Sequence, residues 1–373
     1  MEEVSYVVIF PDDFSKNKIP QLITNIKKIL KMKNQQFSSV KRDSDVILVD
    51  AHDPVFSSSA INLLFGIKKI AIARRVKNNF QDIVSEITSI GGNLLLSGER
   101  FLVRVEGTSK GFFTKDVELA ATSSIIEKKS NIDAKPGTEE NYDKLLYTYL
   151  TKNNAYVCIF SDKGQGGIPY QKQNAICSVY DEISAVSCFE TIKQGFDTKI
   201  IVCYRQKSEL MGLVKMINQI IPRLLRQKID IDFFHVKAGN SGIKNYLSFV
   251  NSVLEIMLHI SKVDKLNHIS TAMSYMIFPA DFMDYSIKRV FENSLIPVVP
   301  MMGIDVNLFN DAKEIGLEKN IPKMKKLISS GMRKMEGFSS KIVEDAIKSK
   351  KTVTVEIGPN NIHDILDSLD ENH

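Results

Sequence analysis

The chain has 373 residues, of which 43% are hydrophobic and 25% charged, proportions that disfavour wholesale disorder, a collagen repeat and a coiled coil. At roughly 150 residues per domain this length predicts two or three domains, and 49 Lys and Arg against 44 Asp and Glu, a net charge of +5, permit a nucleic-acid partner without demanding one. No apolar run approaches the ~20 residues of a membrane span, and the start Met1-Glu2-Glu3 lacks the basic stretch and apolar block of a leader, so a cytoplasmic protein without membrane contact is expected.

In chain order, Val4 to Phe10 reads as a buried strand, and Ile19 to Met32 carries apolar residues at Ile19, Leu22, Ile23, Ile26, Ile29 and Leu30, close to helical spacing. Val46 to Val49 predicts a strand, Ala60 to Phe65 a short helix and Ile70 to Ala73 a further strand. These close a small α+β unit near Arg75. Phe80 to Ile90 is helical in pattern, Gly91-Gly92 is expected to stop it, and Phe101 to Val105 alternates as a strand. Val117 to Lys129 predicts a helix, Asn131 to Asn141 a loop, and Leu145 to Leu150 with Ala155 to Phe160 a hairpin turned at Asn153-Asn154. Gly164-Gln165-Gly166-Gly167 reads as a hinge between two halves.

Beyond the hinge, strand and helix alternate: strands Ala175 to Tyr180, Lys199 to Tyr204 and Asp230 to Val236, and helices from Asp181 to Gln194, Leu210 to Arg226 and Ile243 to Ser261. Such alternation with right-handed crossovers builds a parallel sheet covered by helices. Ligands of these folds lie beyond the carboxyl ends of the strands, which directs attention to Ser178 to Glu182, Tyr204 to Ser208 and Lys237 to Gly242. Cys158, Cys177, Cys188 and Cys203 form no Cys-x-x-Cys pair and the six histidines are dispersed, so no metal site and no disulfide framework is expected.

The order of parts resembles the ThiI family, the tRNA uridine 4-sulfurtransferases, which join a ferredoxin-like unit, a THUMP domain and a PP-loop nucleotide domain. Phe65-Gly66-Ile67 resembles the segment closing the family's first unit. Phe101 to Thr114 resembles the strand, basic loop and aromatic stretch of a THUMP domain, and Ala155-Tyr156-Val157 its closing strand. Gly166-Gly167-Ile168-Pro169 is similar to the Gly-Gly-Leu-Pro that leads into the catalytic half. Ile296 to Pro300 followed by Ala312 to Gly316 is similar to the segment that ends the nucleotide domain. The resemblance implies a ferredoxin-like domain over 1–75, a THUMP RNA-binding domain over 76–168 and a parallel-sheet, Rossmann-like PP-loop-type α/β domain over 169–373.

The family's PP-loop, Ser-Gly-Gly-x-Asp-Ser, is absent. Cys177-Ser178-Val179-Tyr180-Asp181-Glu182-Ile183-Ser184 stands at its position, leaving Ser178, Tyr180, Asp181 and Ser184 as the residues of a degenerate nucleotide site. A PP-loop offers consecutive backbone N–H groups at a helix start, with glycines that let phosphate approach. Here Asp181 and Glu182 cap the helix themselves, and each carboxylate repels a phosphate charge by roughly 4 kcal/mol at about 4 Å and an effective dielectric of about 20. Gln194 to Thr198 mimics the motif but ends a helix, the reverse of the required context. The family's Arg-Pro and Asp-Lys correspond to Val299-Pro300 and Asp305-Val306-Asn307, and no cysteine follows Cys203, so persulfide chemistry would have to use Cys177, Cys188 or Cys203.

By the same resemblance the amino-terminal half would hold tRNA. Arg74, Arg75, Lys110, Phe112, Lys115, Lys128 and Lys129 are the RNA-binding candidates; Lys110 to Lys115 combines charge with Phe112-Phe113 in a loop suited either to phosphate contact and base stacking or to filling the domain core. Lys16 to Arg42 adds eight basic residues and no acid, and Lys237 to Gly242 reads as either an anion site or an ordinary capped turn. Residues 1–170 carry 23 basic and 20 acidic side chains and 171–373 carry 26 and 24, so the case for RNA rests on domain order and local loops. The expectation is a homodimeric, non-catalytic tRNA-binding protein acting in tRNA thiolation or another tRNA modification beside an active sulfurtransferase or modification enzyme, with no cofactor. The alternative is a divergent active tRNA sulfurtransferase using ATP and magnesium.

Overall fold

A computed structural model describes residues 5–128, 133–237, 243–303, 306–330, 340–358 and 362–370. They group into two units, Met1–Pro169 and Tyr170–His373.

In the first unit, β1 (Ser5–Pro11), α1 (Ile19–Met32), β2 (Phe37–Asp43), β3 (Val46–Ala51), α2 (Pro54–Ile61) and β4 (Ile67–Lys77) are followed by α3 (Phe80–Leu94), β5 (Arg100–Gly107), α4 (Thr114–Lys128), β6 (Lys135–Pro136), β7 (Lys144–Leu150) and β8 (Asn154–Gly166). All eight strands join one sheet in the order β2-β3-β1-β4-β8-β7-β5-β6. Its central seam is the antiparallel pairing of β4 with β8, running from Ile67 opposite Gly166 to Lys77 opposite Asn154. Ile83 and Ile87 of α3 and Val117 and Ile125 of α4 pack with Phe101, Val103 and Leu146 of the sheet. A second cluster gathers Val8, Phe10, Leu48 and Ala73 with Tyr147 and Tyr156. Each fully buried side chain of this size contributes about 1.5–3 kcal/mol.

Three local differences from the sequence reading have physical causes. The short helix lies over Pro54–Ile61 rather than Ala60 to Phe65, because Asp53 accepts the backbone N–H groups of Val55 and Phe56 and Pro54 sits at its first turn. Gly91-Gly92 does not stop α3, which continues to Leu94; a Cβ at Gly91 would lie 2.8 Å from Leu146 Cδ1 and 2.9 Å from Ile125 Cδ1, so the glycine serves close packing. Strand β2, Phe-Ser-Ser-Val-Lys-Arg-Asp, is an edge strand whose charged residues hide its periodicity.

The two glycine segments that carried the resemblance meet within this unit. Gly66 N–H donates to the Gly166 carbonyl at 2.6 Å, and Ser15 Oγ donates to the Gly167 carbonyl at 3.2 Å. Gly66 has φ +92°, and a Cβ there would stand 2.7 Å from Pro169 Cγ, so both the conformation and the space require glycine.

The second unit contains β9 (Asn174–Val179), α5 (Glu182–Lys193), β10 (Asp197–Tyr204), α6 (Lys207–Ile220), β11 (Lys228–His235), α7 (Ile243–Val263), β12 (His268–Ser270), α8 (Ala280–Glu292) and β13 (Ile296–Val298). It closes with α9 (Val306–Glu314), α10 (Ile321–Ser330), α11 (Ser340–Lys348), β14 (Lys351–Glu356) and α12 (Ile362–Asp370). The sheet order is β13-β12-β9-β10-β11-β14. Its first five strands pair in parallel, and β14 is an antiparallel edge on β11. The order of connection reverses between β9 and β12, which sets a topological switch point beside the carboxyl end of β9. Among the described residues no helix is long and apolar enough to cross a membrane.

Candidate functional site

The carboxyl end of β9 delivers Ser178, Val179 and Tyr180 into α5, and the turn between them is closed by its own side chains. Ser184 Oγ accepts the backbone N–H of Tyr180 at 2.8 Å and that of Asp181 at 2.9 Å. Asp181 Oδ1 accepts the backbone N–H of Ser184 at 2.8 Å, which completes a capping box. These are the donors that a phosphate-binding turn would aim at its anion.

The surroundings reinforce the closure. Ser178 and Ser184 are buried, the Tyr180 ring packs edge-on against Phe249 at 5.6 Å between centroids, and Asp181 Oδ2 accepts a short hydrogen bond from Tyr246 Oη. Burial raises the Asp181 carboxyl above its ordinary range despite the bonds from Tyr246 and Ser184, and it pushes Tyr246 well above the usual phenol range. Glu182 behaves in the opposite way. Burial works against its ionisation, but Lys323 Nζ at 2.7 and 3.0 Å and Asn320 Nδ2 at 2.9 Å outweigh it, and the carboxyl is held below its ordinary value. Lys323 belongs to α10, so this ion pair ties α10 to the first turn of α5. A cleft of about 370 Å³ remains, lined by Asp181, Glu182, Arg205, Tyr246, Lys323 and Lys326 among others.

Tyr180, Asp181 and Ser184 therefore meet in one turn with Ser178 just before it. Tyr246, Asn320 and Lys323 were missed by the sequence reading, since they lie 65, 138 and 141 residues from the partners they meet and no local pattern marks them. Of the other anion candidate, residues 238–242 lie outside the described residues. Among the described residues no group of acids, histidines and cysteines could hold a metal ion.

The RNA candidates fall into separate places on the first unit. Arg74 Nη1 bonds Glu86 Oε1 at 3.0 Å, with both side chains mostly buried, and joins β4 to α3. Arg75 is exposed with its guanidinium 4.8 Å from the Tyr6 ring centroid. Lys110 is exposed, and Lys115 reaches Glu118 at 2.8 Å while remaining 72% exposed. Phe112 packs edge-on against Phe80 at 6.0 Å as part of the helix-to-sheet core, whereas Phe113 is 78% exposed. Lys128 ends α4, about 20 Å along the helix axis from Lys115, and Lys129 lies outside the described residues.

A hollow of about 560 Å³ on the same unit was not foreseen. Lys69 Nζ sits 3.2 Å from the Tyr147 ring centroid and 4.5 Å from that of Phe10, and burial lowers its pKa. Lys16, Lys68 and Lys163 line the same hollow together with Asp13, Asp45 and Asp162.

Comparison with known proteins bears out the family resemblance. No family model matches the chain. The tRNA sulfurtransferase of Blochmanniella pennsylvanica is 29% identical over 192 residues, covering 49% of this chain and 38% of the relative. A probable tRNA sulfurtransferase of Methanosarcina acetivorans is 24% identical over 157 residues, covering 42% and 38%. These matches thus span well under half the length of the curated relatives. Among solved structures, a 4-thiouridine synthetase in complex with RNA and bound ATP superposes with a TM-score of 0.65 at 14% identity, covering 95% of this chain and 100% of the other. At that identity the likeness establishes a shared fold.

Proposed function

We propose that this chain is a ThiI-type tRNA-binding protein that acts in tRNA thiolation without activating its substrate through ATP. The observation that carries this reading is the occupied turn: the N–H groups of Tyr180 and Asp181 already end on Ser184 Oγ, the Ser184 N–H ends on Asp181 Oδ1, and Asp181 and Glu182 put two carboxylates at the start of α5. An incoming phosphate would have to displace three hydrogen bonds and face those acids.

The first unit would supply the RNA contacts, as one THUMP-containing sheet divided near residue 75 into a ferredoxin-like and a THUMP half. Lys110, Lys115 and the exposed Phe113 are suited to phosphate contact and base stacking. A homodimer, or a complex with an active modification enzyme, would let RNA held here be processed elsewhere, in the cytoplasm.

The competing reading is a divergent active sulfurtransferase. It is favoured by the retained switch-point topology and the cleft beside it, where Arg205 and Lys326 offer positive charge. Calorimetric titration of the full chain with ATP and magnesium separates the two. Absence of heat is expected, and micromolar affinity would overturn the non-catalytic reading. Mass spectrometry of tRNA nucleosides from a deletion strain then identifies the modification served; an unchanged nucleoside profile would remove the thiolation role.

A further inference from the structure

We infer that Cys177 and Cys188 form a buried dithiol that a small peroxide converts into an intramolecular disulfide, a modification site joining the first strand and first helix of the second unit. Cys177 lies in β9 and Cys188 in α5, eleven residues apart, on either side of the closed turn, and their Sγ atoms are 2.7 Å from each other. Non-bonded heavy atoms rest at roughly 3.5–4.0 Å, and a disulfide bond measures about 2.05 Å. The backbone therefore already holds the two sulfurs nearer to bonding than to ordinary contact. Forming the bond requires roughly 0.7 Å of further approach.

The remaining cysteines lack this arrangement. Cys158 in the first unit turns its thiol toward the Tyr156 carbonyl at 3.8 Å, and burial pushes it up to about 12. Cys203 lies in β10, likewise raised by burial. Cys177 is 1% exposed and Cys188 0%, so bulky thiol reagents are excluded. Hydrogen peroxide is uncharged and close to water in size. Burial also raises the Cys188 thiol, which makes the reaction slow and confines it to sustained oxidant.

The step balances as follows. One sulfur attacks a peroxide oxygen, the O–O bond breaks, and the hydroxide released takes the thiol proton to leave as water, giving a sulfenic acid. The second thiol displaces the sulfenic hydroxyl, again released as water with the remaining thiol proton. Two thiols and one peroxide yield one disulfide and two waters; the sulfurs are oxidised and the peroxide oxygens reduced by two electrons. The product clamps strand to helix across Ser178 to Ser184 and fixes the occupied turn.

Trypsin places both residues in the single peptide Gln173 to Lys193, whereas Cys158 and Cys203 fall in others. The full chain is treated with hydrogen peroxide, alkylated with iodoacetamide in denaturant and digested. The expected result is a peptide two hydrogens lighter and unalkylated at residues 173–193, alkylated peptides for Cys158 and Cys203, reversal by dithiothreitol, and a melting temperature raised by several degrees in the oxidised chain. Cys177→Ala and Cys188→Ala should each abolish both the light peptide and the rise. Full alkylation at 173–193 under conditions that oxidise the urea-unfolded chain, or equal loss at all four cysteines, would overturn the inference.

Discussion

Asp181 and Ser184 hold each other's backbone: the Asp181 carboxylate takes the Ser184 N–H at 2.8 Å while the Ser184 hydroxyl takes the Asp181 N–H at 2.9 Å. Removing the hydroxyl leaves the N–H groups of Tyr180 and Asp181 without an acceptor in a buried turn, at a cost of about 2 kcal/mol. Urea unfolding of Ser184→Ala should register that loss; a change under half of it would mean that water replaces the hydroxyl freely.

Asp181 itself separates capping from charge. Asparagine keeps an acceptor for the Ser184 N–H, so Asp181→Asn should be nearly neutral at pH 7. Asp181→Ala should cost about 1 kcal/mol from the lost cap and more from the stranded Tyr246 hydroxyl. Equal destabilisation of the two variants in thermal melts would refute the capping role.

Acidification should loosen α10 from α5. Glu182 has a depressed folded-state pKa, so its contribution is complete above the ordinary glutamate value of about 4.3 and disappears as pH falls through the lower folded value. Asp181 has a raised value and acts with the opposite sign, stability rising as pH drops from its folded value toward about 3.9. Lys323→Ala should flatten the acid limb of a stability-against-pH curve and Asp181→Asn should steepen it; coincident curves would contradict both assignments.

For RNA, exposure divides the candidates. Lys110→Ala with Lys115→Ala should weaken tRNA retention and lower the salt slope by roughly 0.7–0.9 per phosphate contact removed. Arg74→Ala should act on folding instead, because Arg74 is committed to Glu86. Filter binding across a salt series, alongside thermal melts, distinguishes them, and an unchanged slope in the double variant would move the RNA surface elsewhere.

Gly66→Ala tests the interlocked glycine segments. A side chain at φ +92° adds strain of about 1–2 kcal/mol, and its Cβ would press on Pro169 Cγ at 2.7 Å, so a loss of at least 2 kcal/mol is expected. Wild-type stability in urea would show that Pro169 moves aside without cost.

The strands and helices of the second unit as far as α7 were readable because buried strands and amphipathic helices there alternate cleanly, and α1 was placed residue for residue. Polar edge strand β2 escaped because its charges break the period, and Gly91 misled because glycine signals a helix end and close packing with the same letter. At the site, the loss of the PP-loop glycines was legible, as was an acidic helix start. Its completion by Tyr246, Asn320 and Lys323 was not, since α7, α10 and the short turn before α10 that ends in Asn320 reach it through tertiary folding. Phe112 and Phe113 are adjacent in sequence, and only the packing of Phe80 determines which one faces solvent.

The seam between β4 and β8 also bears on how this chain can be divided. The strand that closes the first expected domain finds its partners 77 to 99 residues later, from Lys77 opposite Asn154 to Ile67 opposite Gly166, after an entire helical layer has been laid down. A fragment ending at residue 75 would carry β4 with one long hydrogen-bonding edge bare, and a fragment starting at 76 would strand β8 in the same way. Such pieces should aggregate when expressed singly and recombine when co-expressed. Exchanging either expected half of this unit with that of a relative would for that reason mean exchanging residues 1–169 as a block.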